Sequence, residues 1–322
     1  MPVRTLAEWG QFLDPEKKGV ANIIELLDQD NAILDDIKWM EGNEMNGNTT
    51  TIRTGLPKPT WRKLYKGVPP SKSKVGKVTD TCGMMEDRSE IDKDLYVLNG
   101  ASTEYRLQES RAHTEGMNQE LATMVFYGDT NTHPERFMGL APRYAFKDAP
   151  NVVDAGGTGN ACTSIWLVVW GDDAACGIFP KGSKAGLEHQ DLGEYDAFDG
   201  DGNRFRAVGD LYKWKPGLTI KDWRCIVRIA NIDTDNITAA DLQKLMIQAK
   251  NKIPAAKRAR AIWYCNETVM TALEIASTDK NNVHLRYGEY LDSKEILKAH
   301  GKPVRQCDAI LNTEAALSAM PA

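Results

Sequence analysis

LATMVFYGDTNTHPERFMGL, residues 121–140, is the stretch that orients the rest of the chain. Leu121, Met124 and Val125 fall three and four apart, which puts them on one face of a helix. Phe126 and Tyr127 extend that helix, and Gly128 stands just past its end, where glycine stops helices. Asp129 opens a loop that runs through Pro134, and apolar character returns at Phe137, Gly139 and Leu140. Upstream, from Ser102 to Tyr127, there is no proline and one glycine, Gly116. The spacing predicts a helix about 39 Å long with a narrow apolar stripe at Leu107, Met117, Leu121, Met124 and Val125. Most of its circumference must therefore face water or polar partners.

Further upstream lies a block of one charge sign. Arg53, Lys58, Arg62, Lys63, Lys66, Lys72, Lys74 and Lys77 occur with no acidic residue between them. Pro57, Pro59, Pro69 and Pro70 forbid a helix, while Thr50, Thr51, Ile52, Val75, Val78 and Thr79 favour strands. The block reads as a projecting β-hairpin with strands of about ten residues, each reaching roughly 33 Å. An isolated hairpin is marginal in water, so it must rest on something else. Before it, Asp14 and Pro15 form a helix start, followed by apolar Val20, Ile23, Ile24, Leu27, Ile33, Leu34 and Ile37. This is an N-terminal arm whose apolar face needs a partner.

The second half alternates strand and helix patterns. Strands are expected at Ser164–Trp170, Arg204–Trp214, Arg224–Ala230, Ala261–Cys265 and Pro303–Leu311. In Arg204–Trp214, Phe205, Ala207, Gly209 and Leu211 share a face. Helices are expected at Thr238–Asn251 and Asn266–Ser277, with Thr238 and Asn266 as N-caps. Together these give an α+β body. Residues 186–202 carry Glu188, Asp191, Glu194, Asp196, Asp199 and Asp201 without a basic residue, and read as an exposed acidic loop.

The bulk numbers narrow the function. With 322 residues, 42% hydrophobic and 26% charged, the chain has a globular balance. No run is long enough to span a membrane, and Glu8 interrupts the place of a signal-peptide core, so the protein is expected to stay where it is made. Six cysteines without a CxxC pair suggest reduced thiols. A net charge of −5 argues against a dedicated nucleic-acid coat.

Catalytic motifs fail one by one. Gly177 to Lys184 has two glycines at phosphate-loop spacing, but lysine precedes the second glycine and Pro180 stiffens the loop. Gly156-Gly157-Thr158-Gly159 lacks a dinucleotide spacing and an evident preceding strand, so it reads as a loop. Histidines 113, 133, 189, 284 and 300 never pair at helical metal spacing, and Glu188-His189-Gln190-Asp191 reads as solvated charge. Asp233 and Asp235 read as turn chemistry before a helix. There is no serine-elbow motif and no cysteine signature. No catalytic, cofactor or metal residue is assigned, and an enzyme is not expected.

In this order, a helical arm, a basic hairpin, a long polar helix and an α+β body resemble the major capsid proteins of tailed bacteriophages, with their Hong Kong 97-like fold. The segment from Phe126 to Leu140 resembles the FYGD…P..F.GL string of phage coat proteins. RCIVRIANI at 224–232 and GKPVRQCDAILNTE at 301–314 fit the coat proteins of short-tailed phages. The resemblance implies an N-arm (1–47), an E-loop hairpin (48–82), a peripheral domain with a spine helix (83–150), an axial domain (151–300) and a return strand (301–322). It implies self-assembly into pentamers and hexamers of an icosahedral shell around double-stranded DNA, touched without sequence preference. Implied partners are a portal, a decoration or cement protein, and a separate scaffolding protein, because only residues 1–47 precede the hairpin. The expected location is the virion, assembled in the host cytoplasm, with no membrane partner. The basic hairpin is then expected to lie over the acidic 188–201 segment of a neighbour. No match supports carrying over the lysine–asparagine cross-link of some relatives. The competing reading is a nucleic-acid-binding module in which Trp61 and Tyr65 stack on bases between the cations of 53–77. A nucleotide-binding enzyme using the Gly177–Lys184 loop is a third.

Overall fold

The computed structural model describes residues 29–98, 103–234, 239–278, 285–289 and 295–321. The arm helix expected after Asp14, the N-cap at Thr238, and Asp235 all lie outside them. In chain order the elements begin with α1 (Ile33–Asp36), β1 (Trp39–Glu41), the hairpin strands β2 (Gly47–Gly55) and β3 (Lys74–Thr81), and β4 (Met85–Asp92). Next come α2 (Lys93–Leu98), the long α3 (Thr103–Tyr127), and strands β5 (Val152–Asp154), β6 (Cys162–Val169) and β7 (Ala175–Phe179). β8 (Glu188–Phe198), β9 (Arg204–Trp214), β10 (Gly217–Ile220) and β11 (Ile226–Asp233) lead to α4 (Ala239–Lys252). The chain ends with β12 (Ala261–Cys265), α5 (Glu267–Ser277), β13 (Leu285–Glu289), β14 (Glu295–Ala299) and β15 (Lys302–Gln306).

The architecture is α+β, organised by a mixed seven-stranded sheet in the order β13-β14-β15-β12-β6-β11-β5. Strand β6 is buried along its whole length, and the pleat sends alternate side chains to opposite faces. Ile165, Leu167 and Val169 enter a core shared with Leu242, Met246 and Ala249 of α4 and Val269 and Leu273 of α5. Trp166 and Val168 enter a second core with Leu121, Val125 and Phe126 of α3 and with Leu140 and Tyr144. A strand covered on both faces reads as an unbroken apolar run, which is why it was visible in sequence. The α4 residues recur at helical spacing on one face. Asn266 caps α5 as expected, its side chain accepting from the Val269 N–H at 3.1 Å.

Residues of the arm that fall within view pack on their own subunit. Ile33 is fully buried and Ile37 nearly so, both in the core with Trp166. Strand β1 then joins β7 in parallel, and β7 joins β10 in antiparallel. A third sheet, β4-β9-β8, is antiparallel and carries α3 across it.

Several expectations need correction. The acidic 186–202 segment is not a loop: Glu188–Phe198 is the edge strand β8, paired with β9 through ten registered residues. Its charged sequence hid the strand because pairing, not an apolar face, holds it. The hairpin strands are nine and eight residues long, and 56–73 lies outside them. The last strand is Lys302–Gln306, shorter than expected, because the chain turns at Cys307, where the Ile310 N–H donates to the Cys307 carbonyl at 3.2 Å. A short strand, Val152–Asp154, does precede the Gly156 run. Leu107 is exposed and leaves the stripe, while Tyr105 is buried in its place. All six cysteines are free, and five are buried.

The exit of α3 depends on two close approaches. The Gly139 N–H donates to the Gly128 carbonyl at 2.8 Å, and the Leu140 N–H to the Val125 carbonyl at 2.9 Å. A Cβ on Gly128 would lie 2.4 Å from the Phe137 carbonyl oxygen, and one on Gly139 would lie 2.6 Å from that of Met124. Glycine is required here by space, since neither residue has a positive φ. Phe137 and Leu140 are buried beside the helix end.

One buried ion pair links the tail to this exit. The Arg228 guanidinium donates to Glu314 Oε2 at 2.9 Å, to Ser164 Oγ at 3.0 Å and to the Tyr144 carbonyl at 3.0 Å. It also lies over the Trp166 ring, 5.0 Å from its centroid. The Ser164 and Tyr127 hydroxyls donate to the two Glu314 oxygens, and Tyr127 in turn accepts from the Leu311 N–H at 3.0 Å. Burial, then the Glu314 charge, raises the Tyr127 phenol well above its ordinary range. Replacing Glu314 by Ala leaves Arg228 buried and unpaired, so the subunit should lose about 3–5 kcal/mol of unfolding free energy in chemical denaturation. Gly139→Ala should destabilise by roughly 1–3 kcal/mol, whereas Gly116→Ala, within α3 with open space around it, should stabilise by up to about 1 kcal/mol. The same denaturation curves check both signs.

Candidate assembly interface

The hairpin has a fixed root and an uncovered end. At the root, Asn48 and Asp80 are buried. Asp80 accepts from Arg143 at 2.8 Å and from the Thr219 hydroxyl at 2.7 Å. Cys82 bridges to Gly217 of β10. Gly47 allows the backbone of β2 to pass close to that of β3, since a Cβ there would lie 2.0 Å from the Asp80 carbonyl oxygen. Beyond Thr51 the strands have little cover, and every residue from 56 to 73 is exposed.

The eight basic residues divide between these parts. Arg53, Lys74 and Lys77 sit on β2 and β3, while Lys58, Arg62, Lys63, Lys66 and Lys72 sit on the segment between them. None has a carboxylate partner among the described residues. The segment has some order of its own. Tyr65 takes φ of 64°, the Lys66 N–H donates to the Lys63 carbonyl at 3.2 Å, and the Arg62 Nε donates to the Lys66 carbonyl at 3.1 Å. Trp61 is 100% exposed and Tyr65 102%. Large aromatic surface held in water without cover marks a contact surface.

The acidic residues are differently placed. On β8, Asp191 accepts from Arg106 at 2.6 Å, Glu194 from Lys93 at 2.7 Å, and Asp196 from Arg206 at 2.9 Å. Asp199 closes its own turn by accepting from the Asn203 side chain and backbone. Hydrogen bonds from Arg106 and from Lys93 hold the Asp191 and Glu194 carboxyls below their ordinary range. Four of the six carboxylates are therefore engaged within the subunit, and Glu188 and Asp201 make no ion pair among the described residues.

Sequence reasoning missed the clamp between α3 and this sheet. Arg106 donates to both oxygens of buried Asp210, at 2.7 Å each, and reaches Asp191 with the same guanidinium. Burial raises the Asp210 carboxyl, but Arg106 and His189 outweigh it, so the net shift is downward. Tyr212 lies between two imidazoles, with ring centroids 5.7 Å from His113 and 5.1 Å from His189. His113 pairs with Asp87 and His189 with Asp210. The long helix therefore sits on the sheet through charged and stacked groups, and no apolar periodicity announces it.

The candidate motifs of the sequence take structural places. Gly177 is inside β7, where a Cβ would lie 2.6 Å from the Trp39 ring. The Gly182 N–H donates to the Glu41 carboxylate at 2.8 Å, so a donor that a phosphate would need is already taken by an anion. Gly156 and Gly157 donate to the Asp154 side chain and the Asn231 carbonyl. Among the described residues no group of three or more His, Cys, Asp or Glu is arranged to hold a metal, and no helix is long and apolar enough to cross a membrane. Phe126, Gly128, Asp129, Phe137, Gly139 and Leu140 come together at the α3 exit. There Asp129 accepts from the Asn131 backbone and side chain at 2.9 Å, and the whole group serves the fold.

The family described as major capsid protein GP7 matches residues 14–318. A chain from the near-atomic structure of bacteriophage Epsilon15 is similar at a TM-score of 0.74 and 29% identity, covering 99% of this chain and 98% of that one. More distant likenesses include a holo-SrpI encapsulin complex from Synechococcus elongatus, at a TM-score of 0.46, 10% identity and 72% and 97% coverage. The capsid of a native GTA particle is similar at 0.46, 8% and 71% and 99%. No curated protein sequence matches. The chain therefore belongs to the major capsid protein GP7 family: it is a tailed-phage major capsid protein with the Hong Kong 97-like fold, forming the icosahedral shell of the virion.

Proposed function

We propose that the basic hairpin is the E-loop through which each subunit grips its neighbour. The observation that carries this is the set of eight cations with no carboxylate partner among the described residues, on a projection whose end, 56–73, is exposed throughout. Complementary charge sets register and speeds encounter between surfaces. The β8 strip of a neighbour is one acidic surface for Arg53, Lys74 and Lys77, chiefly through Glu188 and Asp201, because the other carboxylates are already used.

In this reading residues 1–47 form the N-arm, 48–82 the E-loop, 83–150 the peripheral domain, 151–300 the axial domain and 301–322 the return strand. Subunits gather as pentamers and hexamers in the host cytoplasm on a separate scaffolding protein, around a portal, with a decoration or cement protein added to the shell. The inner wall meets packaged double-stranded DNA without sequence preference. The protein works by assembly and not by catalysis, and no residue is given a catalytic role. A second reading has a specific observation behind it: Trp61 and Tyr65 stand exposed between cations, as base-stacking side chains do. It requires salt-sensitive binding of single-stranded DNA by the unassembled subunit.

Changing Lys63, Lys66, Lys72 and Lys74 together to Glu should abolish shells while leaving a folded subunit, as seen by negative-stain microscopy and circular dichroism. Normal particles from that variant would overturn the proposal. Boiled, denatured particles should run as one band of subunit size, since no isopeptide cross-link is expected; a ladder would contradict that.

A further inference from the structure

The end of the hairpin carries more than charge. Trp61 is 100% exposed, Leu64 87% and Tyr65 102%, so three large apolar groups stand in water beside Arg62, Lys63 and Lys66. A tryptophan and a tyrosine flanked by arginine have the composition of an interface anchor. Such an anchor needs a concave apolar seat with the opposite charge at its edge.

Two hollows in the described surface can be compared with that requirement. One lies under the hairpin root, with Tyr144 and Trp223 in its wall, but the charged groups lining it are Arg143 and Lys221. It has the same sign as the tip. The other, of about 290 Å³, lies where β4 begins beside α3. Met84, Met85, Met124 and Phe137 give it an apolar lining, and Glu86, Glu120 and Glu135 line it with negative charge. Arg136 is the one cation in the lining, 3.8 Å from Glu120. Glu86 has Lys213 at 3.5 Å and Glu135 has His133 at 3.3 Å. These are partly exposed pairs of little individual worth, so exchanging them for the tip's cations costs little. Methionine walls adapt to aromatic rings and make favourable sulfur contacts with them. Met84 is itself 69% exposed, which leaves the hollow open at its mouth.

From this match of shape, composition and sign we infer that the methionine-lined hollow receives the Trp61 tip of a second copy of this chain, with Arg62 and Lys63 against its carboxylates. The inference rests on the reading that the hairpin crosses to a neighbour, and it names where the tip lands. The hairpin's own subunit does not supply the contact, because every residue of 56–73 is exposed. The acidic strip on β8 is a poorer match for the tip, because Asp191, Glu194 and Asp196 are already engaged by cations of their own subunit.

The test is an exchange of charge read as particle yield. Arg62→Glu with Lys63→Glu should reduce shells at least tenfold, and adding Glu86→Lys with Glu135→Lys should restore them. Restoration by Glu188→Lys with Asp201→Lys instead would place the tip on β8 and overturn this inference while leaving the E-loop proposal standing. Normal shells from the Arg62→Glu and Lys63→Glu variant would overturn both. Independently, Trp61→Ala changes only an exposed side chain and should leave circular dichroism unaltered while cutting particle yield tenfold; unchanged yield would overturn the anchor. A cysteine pair gives a direct readout. Oxidised particles carrying Leu64→Cys with Met84→Cys should show a ladder of cross-linked subunits on a non-reducing gel, absent from Leu64→Cys alone. A ladder with Leu64→Cys and Glu188→Cys in place of it would contradict the seat.

Discussion

Arg228 is a full charge placed inside a sheet that is covered on both faces, and the surroundings of that residue are arranged to make its burial tolerable. A lone buried guanidinium would be prohibitive, and even a buried pair gains little over apolar replacements. What the pair contributes is position. Glu314 can meet Arg228 only if the tail returns along Cys162, with which it exchanges two backbone hydrogen bonds. Tyr127 can satisfy the other carboxylate oxygen only if the long helix ends where it does. Three parts of the chain far apart in sequence are thereby brought to one point: the last residue of α3, the central strands, and the segment near the carboxyl end. The two glycines at the helix exit serve the same geometry, letting 137–140 lie close enough for Leu140 and Tyr144 to fill the core under Trp166.

Around that point the molecule uses two different kinds of attachment. The carboxyl-side half of α3 is held by Leu121, Val125 and Phe126, which bury apolar surface in the ordinary way. The amino-side half is held by Tyr105, by the Arg106 fork on Asp210 and by imidazoles stacked on Tyr212. Directional groups fix orientation more sharply than apolar contact does, whereas apolar contact tolerates small slides. One helix therefore combines a sharply oriented end with an end that can adjust by small slides.

The same contrast explains what could be read from the sequence. Strand β6, strand β12 and the two amphipathic helices were legible because apolar covering leaves a periodic trace, unbroken for β6 and three-to-four spaced for α4. The long helix was legible from the absence of breakers as much as from its stripe. Leu107 stands outside the stripe because at that end the helix is attached by Arg106, and a polar attachment has no hydrophobic period. Strand β8 leaves no strand signature for the same reason: Asp191 and Glu194 face cations of α3 and α2, so its alternation is one of charge partners. The hairpin is legible in outline because proline and like charge exclude the alternatives, but its tip is not, since the local bonds among Arg62, Lys63 and Lys66 leave no periodic trace in the sequence. The methionine hollow draws on residues from 83 to 137 and Pro216, and only the folded chain gathers them.

Strand β8 has one more consequence. It is an edge strand, with backbone groups on its outer side free to pair with any strand that arrives. A protein made in large amounts and driven to associate is exposed to that hazard more than most. Glu188, Asp191, Glu194 and Asp196 stud the edge with charged side chains, and the irregularity between Asp191 and Gly193 interrupts its regular ladder. Charge and an irregular ladder both make such an edge a poor template for another strand. The subunit can therefore polymerise through its shaped surfaces while being denied the simpler route, sheet joined to sheet, that ends in fibres.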